Sequence, residues 1–242
     1  VNELALFAGA GGGILGGHLI GWKCRCAVEL DVYAASVLIA RQNEGILPPF
    51  PIWDDVRTFD GLPWRGHIDV VSGGFPCKGV SPAGDGLGLH NIESELWGEQ
   101  ARIIREVEPG FCLVENHANL VSRGLGRVLG DLAEMGYNAQ WGVFSASDVG
   151  ARHERERLWI VASHPDRARF QRGERRTKTG FLPVDNMATS RIFPQHKNDL
   201  PAPQLLGGSH GLAARVDRLK AIGNGQVPAV AALAWQILSG TK

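Results

Sequence analysis

The sequence predicts an α/β fold, a mostly parallel sheet with helices on both faces, and three stretches carry that prediction. Glu3–Phe7 is a short apolar run that passes through Ala8-Gly9-Ala10-Gly11-Gly12-Gly13 into Ile14–Ile20, a segment suited to a helix. Trp22–Val28 stops at Glu29 and continues into Asp31–Arg41, which has helical composition. Ile68–Ser72 reads as a buried strand ended by Gly73-Gly74. Apolar runs of strand length that alternate with helical segments build parallel sheets whose ligands bind at the carboxyl ends of the strands.

Composition bounds the class of protein without choosing a partner. A chain of 242 residues suits one large α/β domain with a small appendage, or two small domains. It is 44% hydrophobic and 21% charged, with 25 basic and 25 acidic residues. No global field therefore announces a nucleic acid, and any such binding must come from local patches. The four cysteines, Cys24, Cys26, Cys77 and Cys112, form no C-x-x-C pair and have no matching histidine spacing, so no metal site is expected. Alternation puts Cys24 and Cys26 on the same face of their strand. Cysteine usage points to a reducing cytoplasm, and no apolar run reaches the roughly 18 residues of a membrane span. The chain begins at Val1, from which loss of the initiator methionine or of a tag is expected.

The first glycine turn is a moderate signal by itself. Glycines after the first strand of such a fold let a cofactor approach the backbone, and the frame Gly11–Gly16 also fits the dinucleotide fingerprint, which leaves a nicotinamide enzyme open at this point. Glu29, at the tip of the second strand, is placed to accept hydrogen bonds from a ribose diol. A short strand, Pro51–Trp53, delivers Asp54-Asp55-Val56, where Asp55 either accepts from an adenine amino group or caps a turn.

The strongest chemical stretch is Gly73-Gly74-Phe75-Pro76-Cys77-Lys78-Gly79-Val80-Ser81. Proline fixes φ just before Cys77 and Gly79 relieves crowding after it, so the thiol is held at a defined point beyond a strand end. Lys78–Asn91 is rich in glycine, too irregular for an element and long enough for a lid. Glu93–Val107 has one apolar helical face and stops at Pro109-Gly110. Phe111–Val114 is a further buried strand whose tip is Glu115-Asn116-His117, and a carboxylate there, beside a cysteine on a neighbouring tip, pairs an acid with a nucleophile. His117 reads as a packing or capping residue.

Farther on, Leu125–Met135 reads as a helix closed by Gly136, and Tyr137–Phe144 as a strand. Ala151–Arg157 leads into the strand Leu158–Ala162, and extended alternation would set Arg155 and Arg157 on one face, suited to phosphate or carbonyl recognition. Residues 165–206 carry little periodicity. Within Asp166–Lys178, six basic residues, Arg167, Arg169, Arg172, Arg175, Arg176 and Lys178, stand against two acids, a cluster able to grip a polyanion. Order resumes with Gly223-Asn224-Gly225-Gln226-Val227-Pro228 and an apolar helix to about Leu238.

Taken together, Leu6–Gly12, Glu29, Asp55-Val56, Gly73–Cys77, Leu96-Trp97, Glu115-Asn116, Arg155-x-Arg157 and Gly223–Pro228 resemble the DNA cytosine-5 methyltransferase family in order and over nearly the whole chain. The ordered set decides the cofactor contest, because a dinucleotide enzyme has no use for the Pro-Cys loop, the Glu-Asn tip and the paired arginines together. The resemblance implies a class I methyltransferase fold that takes S-adenosylmethionine and releases S-adenosylhomocysteine. It implies Cys77 as nucleophile, Glu115 as donor to the base, and Arg155 and Arg157 on the O2 side or an adjacent phosphate. It assigns Phe7, Ala8, Gly9, Ala10, Gly11, Gly12, Glu29, Leu30, Asp55, Val56, Gly74, Pro76, Leu96 and Asn224 to the cofactor, and Pro76, Lys78, Ser81 and Asn116 to the substrate.

The implied substrate is a cytosine flipped out of double-stranded DNA in a bacterial or phage setting, with a cognate restriction endonuclease acting separately. A monomer is expected, with residues 1–163 and 208–242 forming the catalytic domain and 164–207 a small recognition region. A tRNA cytosine-5 methyltransferase and a catalytically silent DNA-binding relative are the competing readings. Lys78, His117 and His153 depart from the family pattern, and the recognition region is shorter than usual.

Overall fold

The structure, a computed structural model, describes residues 1–76, 94–168, 217, 221 and 223–240. The elements are β1 (Asn2–Leu6), α1 (Gly12–Leu19), β2 (Lys23–Val28), α2 (Val32–Asn43), β3 (Ile52–Trp53), β4 (Val70–Gly73), α3 (Ser94–Val107), β5 (Phe111–His117), α4 (Leu120–Arg123), α5 (Leu125–Glu134), β6 (Asn138–Phe144), β7 (Arg157–Ser163) and α6 (Pro228–Ser239). The seven strands form one sheet in the order β3-β2-β1-β4-β5-β7-β6. Pairing is parallel from β3 through β5, and β7 runs antiparallel to both β5 and β6.

Alternation along the central strands explains the helices on both faces. Val71 of β4 and Cys112 and Val114 of β5 pack with Trp97, Ile103, Ile104 and Val107 of α3 and with Val128 and Leu132 of α5. Val70, Phe111 and Leu113, one residue out of step, pack with Val230, Ala234, Trp235 and Leu238 of α6. Each large apolar side chain buried this way contributes about 1.5–3 kcal/mol, so strands with no polar face are committed to the middle of the sheet. Trp22 and Trp235 meet edge to face with ring centroids 4.6 Å apart, which joins the start of β2 to the last helix.

The chain returns to its beginning because two helices approach closely. A Cβ on Gly16 of α1 would lie 2.7 Å from the Pro228 carbonyl oxygen and 2.8 Å from the Ala231 Cβ. A side chain there would separate α1 from α6, and glycine removes it.

Three local expectations are corrected. β5 does not end at Val114: it continues through Glu115 and Asn116 to His117, because β7 pairs with it over its full length while β4 stops opposite Val114. Cys24 and Cys26 do not share a face. Register slips between Glu3 and Leu4 so that Cys24 pairs with Glu3 and Cys26 with Leu4, and the thiols enter different cores. Residues 151–156 are not an extended strand, since Arg155 adopts a left-handed conformation with φ 67° and β7 begins only at Arg157.

Candidate active site

The carboxyl ends of the parallel strands form one row. Leu6 is in register with Val28 on one side and Gly73 on the other, and Gly73 is in register with Val114. The glycine turn, Glu29, the Gly74–Pro76 segment and Glu115 thus emerge side by side.

After β1 the backbone turns through positive φ at Phe7 (51°), Gly9 (54°) and Gly11 (88°), and strain at the non-glycine Phe7 is of the kind that persists at ligand sites. Glu29 stabilises this turn. Its Oε2 accepts from the Gly9 N–H at 2.6 Å and its Oε1 from the Asp31 N–H at 2.8 Å. Each oxygen retains a second lone pair, so the carboxylate can also accept from a diol. Asp31 then caps α2 by accepting from the Tyr33 and Ala34 N–H groups.

At the next strand end, Asp55 caps the single turn Val56–Thr58 and pairs with the Arg57 guanidinium at 2.7 Å, which holds its carboxyl below the usual carboxylate range. The same turn is gripped from behind by Arg102, which donates to the Val56 carbonyl at 2.9 Å and the Phe59 carbonyl at 3.0 Å and pairs with Glu99 and Glu106. Leu30 (63% exposed) and Trp53 (45% exposed) leave apolar surface open at these ends. Sequence reasoning missed Arg102, whose i−3 and i+4 acids gave only the signal of a solvated helix face.

Period-2 alternation turns Glu115 and Asn116 to opposite sides of the sheet. Asn116 is buried, and its Nδ2 donates to the Phe75 carbonyl at 3.0 Å, so it anchors the loop ahead of Cys77. Glu115 faces the α6 side. Its Oε1 lies 3.1 Å from the Arg157 Nε, and its Oε2 accepts from the Gln226 Nε2 at 3.2 Å. Burial pushes its carboxyl up despite Gln226, Arg157 and Arg155, which pull it down. Burial thus favours the protonated form of this carboxyl, the form that can donate to a substrate.

Gly74 is required here, because a Cβ would lie 2.5 Å from Glu115 Oε2 and 2.9 Å from the Gln226 Nε2. Arg155 donates to the Gly225 carbonyl at 2.6 Å, so both arginines reach the Glu115 neighbourhood although the alternation that predicted it does not hold. His117 accepts from the Asn119 N–H through Nδ1 at 3.1 Å, a capping contact, and its imidazole is pushed down by burial and by nearby arginines. Leu96 is half-buried against the α3 core, and Asn224 is exposed ahead of α6.

Not every expected residue comes to this place. Arg167 pairs with Glu108 at 2.9 Å, beside the opposite end of β5. Cys77, Lys78, Ser81, Arg169, Arg172, Arg175, Arg176 and Lys178 lie outside the described residues. Among the described residues no cluster of three His, Cys, Asp or Glu could hold a metal ion, and no helix is long and apolar enough to cross a membrane.

A glycine turn after β1, an acid after β2 and an antiparallel β7 inserted between β5 and β6 define a class I S-adenosylmethionine-dependent methyltransferase fold. Within that class, the chain belongs to the C-5 cytosine-specific DNA methylase family, whose sequence model matches residues 1–207. It is 36% identical over 174 residues to the type II methyltransferase M.Eco47II of Escherichia coli, covering 68% of this chain and 40% of that protein. It is 30% identical over 217 residues to the type II methyltransferase M.NgoMIV of Neisseria gonorrhoeae, covering 84% of this chain and 66% of that one. The chain therefore spans between two fifths and two thirds of the length of these two relatives.

Among solved structures, a prophage-encoded E. coli protein described as a DNA modification methyltransferase superposes with a TM-score of 0.55 at 25% identity, covering 69% of this chain and 47% of that one. The S. pombe Dnmt2 methyltransferase shares the fold with a TM-score of 0.55 at 19% identity, covering 76% of this chain and 58% of its own.

Proposed function

We propose that this protein transfers a methyl group from S-adenosylmethionine to carbon 5 of cytosine in double-stranded DNA, in the setting of bacterial or phage restriction-modification or protection. The observation that carries this reading is the buried Glu115, held by Arg157 and Gln226 beside Gly74, three residues before Cys77.

Carbon 5 of cytosine is a poor nucleophile. The Cys77 thiolate adds to carbon 6, forming a carbon–sulfur bond and moving the ring electrons toward N3. Protonated Glu115 donates to N3, which stabilises that charge from a buried position. Carbon 5 is then nucleophilic and would take the methyl group, whose bond to the donor sulfur breaks with the electron pair left on that sulfur. Loss of the carbon 5 proton to a base re-forms the 5,6 double bond and expels the thiolate, and N3 returns its proton to Glu115. Arg157 and Arg155 hold the O2 side of the ring or an adjoining phosphate. Cysteine suits the first step because a few per cent is already thiolate near pH 7.

The residues present fit the methyl donor, which when bound supplies an electrophilic methyl on a sulfonium. Glu29 retains lone pairs for the ribose hydroxyls, the Phe7–Gly12 turn offers backbone at close range, and Leu30, Asp55 and Val56 border the adenine side. Leu96 forms part of the pocket wall, Asn224 belongs to the methionine end, and Gly74 and Pro76 are assigned to the cofactor as well. Asn116 contributes by fixing the loop that carries Pro76 and Cys77. Bases reach the thiol only after leaving the helix, and the remaining basic residues Arg169, Arg172, Arg175, Arg176 and Lys178 would supply phosphate contacts to offset that cost of roughly a few kcal/mol.

The test is incubation with S-adenosylmethionine and mixed-sequence duplex DNA followed by bisulfite sequencing, beside a Cys77→Ala control. Cytosines protected within one short motif, and unprotected in the control, are the expected result. Uniform conversion of the DNA together with methylated tRNA would transfer the activity to an RNA substrate, and no methylation of either would mark a silent relative.

A further inference from the structure

Gln226 does more than extend the glycine-rich segment ahead of α6. Its carbonyl oxygen stands where a Gly12 side chain would be, and its side-chain oxygen where a Gly13 side chain would be. Its Nε2 reaches across to Oε2 of Glu115 at 3.2 Å. One residue thus packs on the turn assigned to the cofactor and bonds the acid assigned to the base. Resting on the reading of Glu115 as the proton donor, we propose that Gln226 is a positioning residue that reserves Oε2 of Glu115 as an acceptor and so directs the transferable proton to Oε1.

The geometry supplies the reason. A carboxylic acid has one donor oxygen and one acceptor oxygen, and an amide N–H aimed at Oε2 can be satisfied only if Oε2 accepts. Oε1 faces Arg157, 3.1 Å away, on the side where Arg157 would meet the substrate. When the guanidinium turns to the ring or a phosphate, Oε1 is free to carry the proton while Oε2 stays bound. Without Gln226, either oxygen could take the proton and the carboxyl plane could rotate. The same N–H also favours the ionised acid, so it limits how far burial raises the group.

The groups facing Glu115 among the described residues are Arg157 from β7, Arg155 from the segment before it, and the Gln226 amide from the segment before α6. His117 lies two residues along the same strand and is held by Asn119.

The test is the pH profile of single-turnover methyl transfer to duplex DNA at saturating S-adenosylmethionine, for wild type, Gln226→Met, Gln226→Glu and each change placed on Glu115→Gln. Methionine keeps length and volume but has no donor. Its falling alkaline limb should move up by about one pH unit, the scale of one lost hydrogen bond to a charged group, while the acid limb stays in place. Glutamate should move the alkaline limb farther, since two carboxyls would share a proton. In the Glu115→Gln background neither change should move it.

An alkaline limb that stays put in Gln226→Met, with the rate lowered evenly at every pH, would overturn the proposal and leave Gln226 a packing residue. Equal shifts with and without Glu115 would overturn it as well. If Gln226→Met fails to fold, Gln226→Glu carries the same comparison. Failure of wild type to methylate DNA at all would instead sink the underlying functional reading.

Discussion

Arg157 is paired in register with His117, yet its Nε lies 3.1 Å from Oε1 of Glu115, two residues back along β5. The contact is a cross-strand diagonal, the reach that a long side chain spans on the face of an antiparallel pair. It places a permanent positive charge beside the acid, at the point where negative charge would develop. Arg157→Met is therefore expected to lower single-turnover methyl transfer by about 10²–10³-fold, the range for removing one such stabilising donor. A loss under threefold would remove Arg157 from the chemistry.

Glu115→Gln separates chemistry from stability. Burial raises the Glu115 carboxyl more than its donors lower it, so ionising the group opposes folding. The amide should melt no lower than wild type while losing about 10²–10⁴ in rate, as expected for removing a general acid. Thermal melts and methyl transfer on the same preparation check both. A protein that unfolds readily would show that the pair with Arg157 is structural.

Glu29→Ala should act on the turn before it acts on any ligand. Both oxygens accept backbone N–H bonds, from Gly9 and Asp31, and those donors would be left half-buried. A loss of about 2 kcal/mol in denaturant unfolding is expected. S-adenosylhomocysteine binding by calorimetry should weaken by more than tenfold. Unchanged binding would show that the ribose is held elsewhere.

Glu3 makes stability depend on pH far from the chemistry. The carboxyl is buried on β1, with Oε1 accepting from the Ser72 hydroxyl at 2.6 Å and Oε2 without a partner among the described residues. Burial pushes it up to about 7. In the unfolded chain it ionises near 4.5, so between those values the native state binds more protons and stability falls as pH rises. The loss is complete above pH 7 and amounts to roughly 3 kcal/mol. Glu3→Gln should melt above wild type at pH 8, with the gap closing by pH 4. An equal gap at both values would show that Glu3 does not titrate on folding.

The sequence by itself determined the order of strands and helices, the glycine turn, the acids at the strand ends and the Pro-Cys loop. Those are local properties: apolar runs one or two turns long, glycine at positive φ and proline ahead of a thiol are written in neighbouring residues. Other features were decided only by tertiary structure, because they depend on pairing between segments far apart in the chain. β7 lengthens β5 and carries Glu115 into the sheet. A register slip against β1 sends Cys24 and Cys26 into different cores. Arg102 reaches back to the Val56 and Phe59 carbonyls, and Gln226 crosses 111 residues of sequence to Glu115. No periodicity records such contacts, since a side chain's partner is set by which strands lie side by side and on which face of the sheet it emerges.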